Sequence, residues 1–318
     1  MPVVDIHTHV IPAPLLARAE AGRLFGVKGE DGGLVHPEGF RYPVTADFHD
    51  RDALLARMAS TGIDRSVVSL APTLFLYDKP AAEGAELARE ANDAVAELVG
   101  GAAALDGFAT LPLQDPAAAA LELRRAVEEL GLRGAQIGTS AGPVPLDAPA
   151  LAPVLEEAQR LGVPLVLHPY YTGDKPGLGD FYMTNTVGNP LDTCVAATRL
   201  IVSGTLDRFP RLKIALVHGG GFFPYQLGRL DRAFAVRGEL QGSIARAPSE
   251  YLERFWIDGL LHADGPLAFL AQLVGPDRLV LGTDLPFDMG DPAPVERVRR
   301  AGIDLDALAR ATDLLLAR

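Results

Sequence analysis

Four of the seven histidines close runs of apolar, largely β-branched residues. His7 and His9 end Val3-Val4-Asp5-Ile6-His7-Thr8-His9, His168 ends Val163-Pro164-Leu165-Val166-Leu167-His168, and His218 ends Lys213-Ile214-Ala215-Leu216-Val217-His218. Asp284 ends a further run, Arg278-Leu279-Val280-Leu281-Gly282-Thr283-Asp284, while His36, His49 and His262 lie between such runs. Alternate side chains of a strand share a face, so His7 and His9 are expected to point one way and Ile6 and Thr8 the other. Three imidazoles and a carboxylate form a donor set of borderline softness for one divalent cation. It suits zinc best, with manganese or iron as possible occupants. The expected metal ligands are therefore His7, His9, His168 and Asp284. A coordination position left to water supplies hydroxide near neutral pH, because zinc lowers the pKa of bound water to about 7. His218 is the expected general base: imidazole titrates near neutrality, and coordination does not require this one. A role for His218 as a fifth ligand stays open, and Asp284 has the chemistry to relay a proton as well as to bind metal.

These residues need elements to hold them, and the chain supplies a regular alternation. After the first strand comes a segment over 10–48 rich in Gly, Pro and single aromatics, too long for an ordinary connection and expected to be an inserted lid. Within it Phe40-Arg41-Tyr42-Pro43-Val44 reads as a short strand, with Arg41 the candidate substrate contact. From His49 onward, helix patterns near 50–62, 81–99, 116–130, 147–161, 189–207 and 265–274 separate strand signals at 65–70, 107–111, 134–137, 163–168, 213–218, 255–258 and 278–284. Another helix follows Gly219-Gly220-Gly221, and two short helices finish the chain. A loop carrying Tyr170, Tyr171, Asp174 and Phe181 follows the fifth strand. Eight strands alternating with helices over 318 residues predict one domain spanning 1–318, an α/β fold of the closed (β/α)₈ TIM-barrel type. An open doubly wound sheet is the alternative, but no dinucleotide-type glycine fingerprint follows the first strand. The barrel demands catalytic residues at C-terminal strand ends, which is where His9, His168, His218 and Asp284 fall.

Composition narrows the function further. A net charge of −12, without basic clusters, argues against nucleic-acid or anionic-membrane partners. An anionic substrate therefore needs locally placed arginines. No apolar stretch reaches the roughly 18 residues that span a bilayer. No basic-then-apolar leader precedes Asp5, and the single cysteine, Cys194, cannot form an internal disulfide, so a cytoplasmic location is expected. The fourth strand carries Gln136 and no lysine at its end, so the carbamylated lysine that bridges two metals in related barrels is missing and one metal is expected. Gly138-Thr139-Ser140-Ala141-Gly142 matches a nucleophile elbow, yet Pro143 and Pro145 stand where the elbow's helix would run. The glycine loop that would serve as its oxyanion hole also follows the serine instead of preceding it.

Taken together, these residues resemble the amidohydrolase superfamily, in the branch containing α-amino-β-carboxymuconate-ε-semialdehyde decarboxylase. The resemblance covers nearly the whole chain. It is carried by Asp5-Ile6-His7-Thr8-His9, Leu111-Pro112, Gln136-Ile137-Gly138-Thr139 and Leu167-His168-Pro169. It continues in His218-Gly219-Gly220-Gly221-Phe222-Phe223-Pro224, Gly228-Arg229 and Leu281-Gly282-Thr283-Asp284-Leu285-Pro286-Phe287. It implies the same four ligands and the same base. It further implies Arg41 and Arg229 as holders of substrate carboxylates, Arg229 reaching into the partner's site of a homodimer, and Phe287 as a pocket wall. The implied reaction is a metal-dependent, non-oxidative decarboxylation of a small unsaturated or aromatic carboxylic acid, by metal-bound hydroxide with His218 as general base. In a variant seen among phenolic-acid decarboxylases, substrate oxygens bind the metal directly. Hydrolysis of a lactone or amide, or hydration of a double bond, would use the same site, and a non-catalytic sensor or scaffold would keep only the fold. One departure stands out: Asn185, before Thr186-Val187-Gly188, occupies the place of a Trp in the family's decarboxylase, which implies a more polar pocket.

Overall fold

The computed structural model describes residues 1–37, 39–170, 175–240 and 242–318; Tyr171 and Asp174 lie outside them. Eight parallel strands carry the site: β1 (Val4–Val10), β2 (Arg65–Leu70), β3 (Leu105–Gly107), β4 (Ala135–Gly138), β5 (Pro164–His168), β6 (Lys213–Leu216), β7 (Phe255–Asp258) and β8 (Leu279–Val280). The first three form one sheet and the last five another. Single parallel bridges join the two sheets at both edges: Ala109 with Ala135 on one side, and Asp5 with Leu281 and Thr8 with Leu285 on the other. The backbone bonds Ile6 N–H to Leu281 O (3.0 Å) and His9 N–H to Leu285 O (2.8 Å) seal the β1/β8 seam. The cylinder thereby closes as a TIM barrel.

Interior packing confirms closure independently. Val4, Ile6, Val67, Phe108, Val166, Ala215, Val217, Trp256 and Val280, drawn from all round the ring, share one buried cluster with Ala311, Leu315 and Leu316 of the last helix. Side chains from opposite strands meet this way only inside a cylinder. Ile6 belongs to this interior, which corrects the simple alternation expected of β1. The pairing of β1 with β2 slips between Asp5 and Thr8, a bulge that lets Ile6 and then His7 both turn inward. The outer helices start and stop where their caps dictate. Asp50 accepts from Ala53 N–H at the start of helix Arg51–Thr61, and Gly62, at φ +75°, ends it.

Several boundaries differ from the sequence expectation. β3 lies at Leu105–Gly107, ahead of 107–111, whose later residues cross over to β4 through Ala109. The helix expected over 189–207 breaks at Gly204 (φ +72°) into Asn189–Val202 and Thr205–Arg208. β8 pairs with β7 only at Leu279 and Val280, because the chain beyond leans onto β1 instead. The segment after β1 is more ordered than its composition suggests. It holds helix Ala13–Glu20 and an antiparallel three-stranded sheet of Lys28–Glu30, Gly33–Val35 and Arg41–Pro43. Ile11, Leu15, Leu24, Leu34, Tyr42 and Phe48 pack there with Leu70, Ala71 and Leu74 as a second core beside the barrel mouth. Among the described residues no helix is long and apolar enough to cross a membrane.

Candidate metal centre

The C-terminal strand ends bring the expected ligands together. Asp284 Oδ1 lies 2.9 Å from His9 Nε2, 3.3 Å from His7 Nε2 and 3.7 Å from His168 Nε2, and its Oδ2 lies 3.4 Å from His218 Nε2. The ligand atoms of His7, His168, His218 and Asp284 all fall within 4.8 Å of one another. His9 stands outside that mutually close set, although its nitrogen is the nearest of the four imidazoles to the carboxylate. Nε2 of His7, His9 and His168 and Oδ1 of Asp284 are buried without a hydrogen-bond partner, as is Nδ1 of His218, whose Nε2 faces Asp284 Oδ2. Unpaired polar atoms at such depth are costly, and three imidazole nitrogens within 3.7 Å of one carboxylate oxygen fit a cation.

The far side of each ring is held in the tautomer that a metal requires. His7 Nδ1–H donates to Asp258 Oδ2 (2.7 Å) and His168 Nδ1–H donates to the Pro169 carbonyl (2.5 Å), which leaves both Nε2 lone pairs inward. His9 Nδ1 faces Ser69 Oγ at 3.4 Å, and that hydroxyl donates to Gln136 Oε1 at 2.8 Å. Burial pushes His9 down to about 4 and His168 down to about 3, so both are neutral imidazoles at pH 7. Burial also opposes charge on His7, but Asp284 and Asp258 on either side outweigh it and raise His7 to about 10. The two carboxylates thus call for one positive charge beside His7, and a divalent cation would displace that proton.

Two of the site residues have left-handed backbones that side chains resist: His218 at φ +53° and Asp284 at φ +59°. Each costs about 1–2 kcal/mol. Asp284 is held in place by its N–H on His7 O (2.7 Å), which fastens the end of β8 across β1. Above the centre lies a cavity of about 260 Å³ bordered by His218, Asp284, Leu260, Leu261, His262, Met289, Pro190, Asn185, Thr186 and Asn189. Asn185 and Thr186 come from a single π-helical turn, Thr184–Gly188, a distortion frequent at functional sites.

The expected substrate contacts are placed less uniformly. Phe287 packs against His9 with ring centroids 5.3 Å apart and against Tyr42 and Phe48 at 5.2 Å each, so it stands between His9 and the inserted segment, outside the residues that border the cavity. Arg41 is exposed on that segment, and Arg229 is exposed on helix Phe223–Val236; neither borders the cavity. Asp258 was not anticipated, nor were Asp5 and Thr283, whose Thr283 Oγ1–H to Asp5 Oδ2 bond (2.7 Å) ties β8 to β1. The available signal for Asp258 was a carboxylate closing the apolar run Phe255-Trp256-Ile257. Ser140, the elbow candidate, lies in a tight hairpin instead of a strand-to-helix turn, and its hydroxyl donates to the Gly142 carbonyl (3.0 Å).

The family model described as Amidohydrolase matches residues 4–312. The chain belongs to the amidohydrolase superfamily. Within it this amidohydrolase falls in the decarboxylase branch that its sequence resembled. It is 32% identical over 300 residues to the 2-amino-3-carboxymuconate-6-semialdehyde decarboxylase of Dictyostelium discoideum, covering 92% of this chain and 83% of that one. It is 33% identical to the gamma-resorcylate decarboxylase of Polaromonas sp., covering 78% and 79%. Among solved structures, the 5-carboxyvanillate decarboxylase of Sphingomonas paucimobilis superposes with a TM-score of 0.84 at 28% identity, over 99% of this chain and 98% of that one. The dihydroxybenzoic acid decarboxylase of Polaromonas sp., solved with manganese and 2-nitroresorcinol, superposes at 0.77 with 27% identity, over 99% and 97%.

Proposed function

We propose that this amidohydrolase is a metal-dependent, non-oxidative decarboxylase, a carboxy-lyase acting on a small unsaturated or aromatic carboxylic acid. The observation that carries the reading is the convergence of four orphaned ligand atoms beneath a cavity that His218 and Asp284 border. His7, His9, His168 and Asp284 would hold the cation. Their nitrogen-rich set favours zinc, and the manganese of the Polaromonas relative makes that ion the next choice, ahead of iron. The cation, when bound, supplies Lewis acidity toward oxygen at the cavity floor. His218 would act as the general base by taking a proton from water and delivering it to the carbon that loses carbon dioxide, the hydroxide left behind departing with the carbon dioxide as bicarbonate, and Asp284 Oδ2 stands beside it to take part in the transfer. Leu260, Leu261, Pro190 and Met289 offer apolar walls for a planar substrate, and Asn185, Thr186 and Asn189 offer it hydrogen bonds.

Charge recognition of the substrate carboxylate falls to Arg41 and Arg229. Arg41 would reach the site by movement of the 10–48 segment, acting as a lid. Arg229 would reach it across a homodimer, since its helix and its neighbours expose Leu191, Val195, Tyr225, Phe269 and Leu273. Cys194, unpaired, suits a cytoplasmic enzyme.

The deciding experiment measures carbon dioxide release by the zinc- or manganese-loaded protein from a panel of carboxymuconate, resorcylate and carboxyvanillate acids. Turnover of at least one acid, abolished in His218→Ala with metal retained, is expected. Lactone or amide hydrolysis without carbon dioxide, or an unaltered rate in His218→Ala, would overturn the assignment.

A further inference from the structure

Asp258 is fully buried at the end of β7 and accepts three hydrogen bonds. Oδ2 takes the Nδ1–H of His7 at 2.7 Å, while Oδ1 takes the backbone N–H of Gly219 at 2.9 Å and of Leu260 at 3.1 Å. Gly219 follows His218, so one carboxylate binds the expected metal ligand on one oxygen and the turn bearing the expected base on the other. That turn holds four successive positive-φ residues, His218 to Gly221, of which His218 alone carries a side chain. The bond from Gly219 N–H offsets part of its strain. A second feature protects the arrangement. A Cβ at Gly282 would lie 2.5 Å from Asp258 Oδ2 and 2.8 Å from His7 Cβ, so the segment after β8, between β7 and β1, has room for this pair only without a side chain.

We infer that Asp258 is a positioning residue that sets His7 and His218 in a common frame, fixing metal affinity through one oxygen and base placement through the other. The inference rests on the metal-centre reading above. Its two halves separate by substitution. Asp258→Asn is isosteric, and its remaining carbonyl oxygen can still accept from Gly219 and Leu260. Its amide, however, presents N–H to His7 Nδ1, which favours a His7 tautomer whose proton sits on Nε2, the nitrogen needed for metal. Asp258→Ala removes both halves.

The test titrates zinc and manganese into apo wild type and both variants, by chelator competition, alongside thermal melting of the apo proteins. Turnover is then measured at metal concentrations that saturate each protein. Asp258→Asn is expected to bind metal about 10–100-fold more weakly than wild type while its apo form still melts cooperatively, the usual effect of losing such an outer partner. Excess metal should restore most of its kcat. Asp258→Ala should stay at least ten-fold below wild type in kcat at saturation. Metal affinity in Asp258→Asn within about three-fold of wild type would overturn the inference, as would a kcat that excess metal fails to restore. Wild type that binds neither metal would instead overturn the metal-centre reading itself. Should Asp258→Ala not fold, the isosteric variant alone still decides the affinity half.

Discussion

Gly282→Ala adds one methyl group at a position whose backbone lies outside the left-handed region, so space alone decides its effect. That methyl would stand 2.5 Å from Asp258 Oδ2, 2.9 Å from Asp258 Cβ and 2.8 Å from His7 Cβ. Non-bonded carbon atoms settle near 3.5–4.0 Å, so the neighbours must retreat by about 1 Å. They have little room to do so. Ile6 N–H to Leu281 O at 3.0 Å and Asp284 N–H to His7 O at 2.7 Å clamp β1 and the end of β8 on both sides of residue 282. Overpacking of this kind costs about 1–3 kcal/mol, a fall of several degrees in melting temperature for a domain of this size. Because the displaced atoms belong to a metal ligand and its orienting carboxylate, activity should suffer more than stability. A misplacement of about 1 Å near the reacting groups is worth on the order of 100-fold in rate. Calorimetry, metal analysis and carbon dioxide release on the same preparation would separate the two effects. A Gly282→Ala protein with wild-type metal affinity and rate would refute the claim that this crowding holds His7 in place.

Other expectations follow from the same geometry. His9→Ala should lose bound metal under dialysis whereas His218→Ala should keep it; the reverse pattern, read by metal analysis, would make His218 the fourth ligand. Glu157, buried between Arg160 and Arg124, is held down to about 2 by those two guanidinium groups against the opposing effect of burial. Its folded-state pKa lies below its unfolded value, so its contribution is present above about pH 4.5 and lost as pH falls toward 2. With both arginines half exposed, that contribution is worth about 1 kcal/mol. The melting advantage of wild type over Glu157→Gln should therefore shrink between pH 6 and pH 3, and parallel curves would contradict it. The proposed homodimer can be tested at Tyr225, stacked on Phe269 at 5.4 Å on an exposed face: on that proposal wild type sediments as a dimer and Tyr225→Glu as a monomer, and a monomeric wild type would contradict it.

Much of this molecule was legible in local sequence. Apolar runs of strand length, Gly62 and Gly162 as helix stops, and polar residues at run ends are written in neighbouring residues, because periodicity and capping act over a few positions. They placed the strands, the TIM barrel, and His7, His9, His168, His218 and Asp284 at its mouth. What local patterns do not encode is which distant strand ends meet, and at what angle. The bulge that turns both Ile6 and His7 inward arises from the register of β1 on β2, and β8 shortens because its end is drawn onto β1. Asp258 reached His7 across 251 positions of chain, a hydrogen bond that neither residue's neighbours announce. The left-handed backbones of His218 and Asp284, and the exposed positions of Arg41 and Arg229, were likewise settled only by tertiary packing. The residue types decided what chemistry was available; closure of the barrel decided which of them face one another, since only the ring brings its first strand against its last.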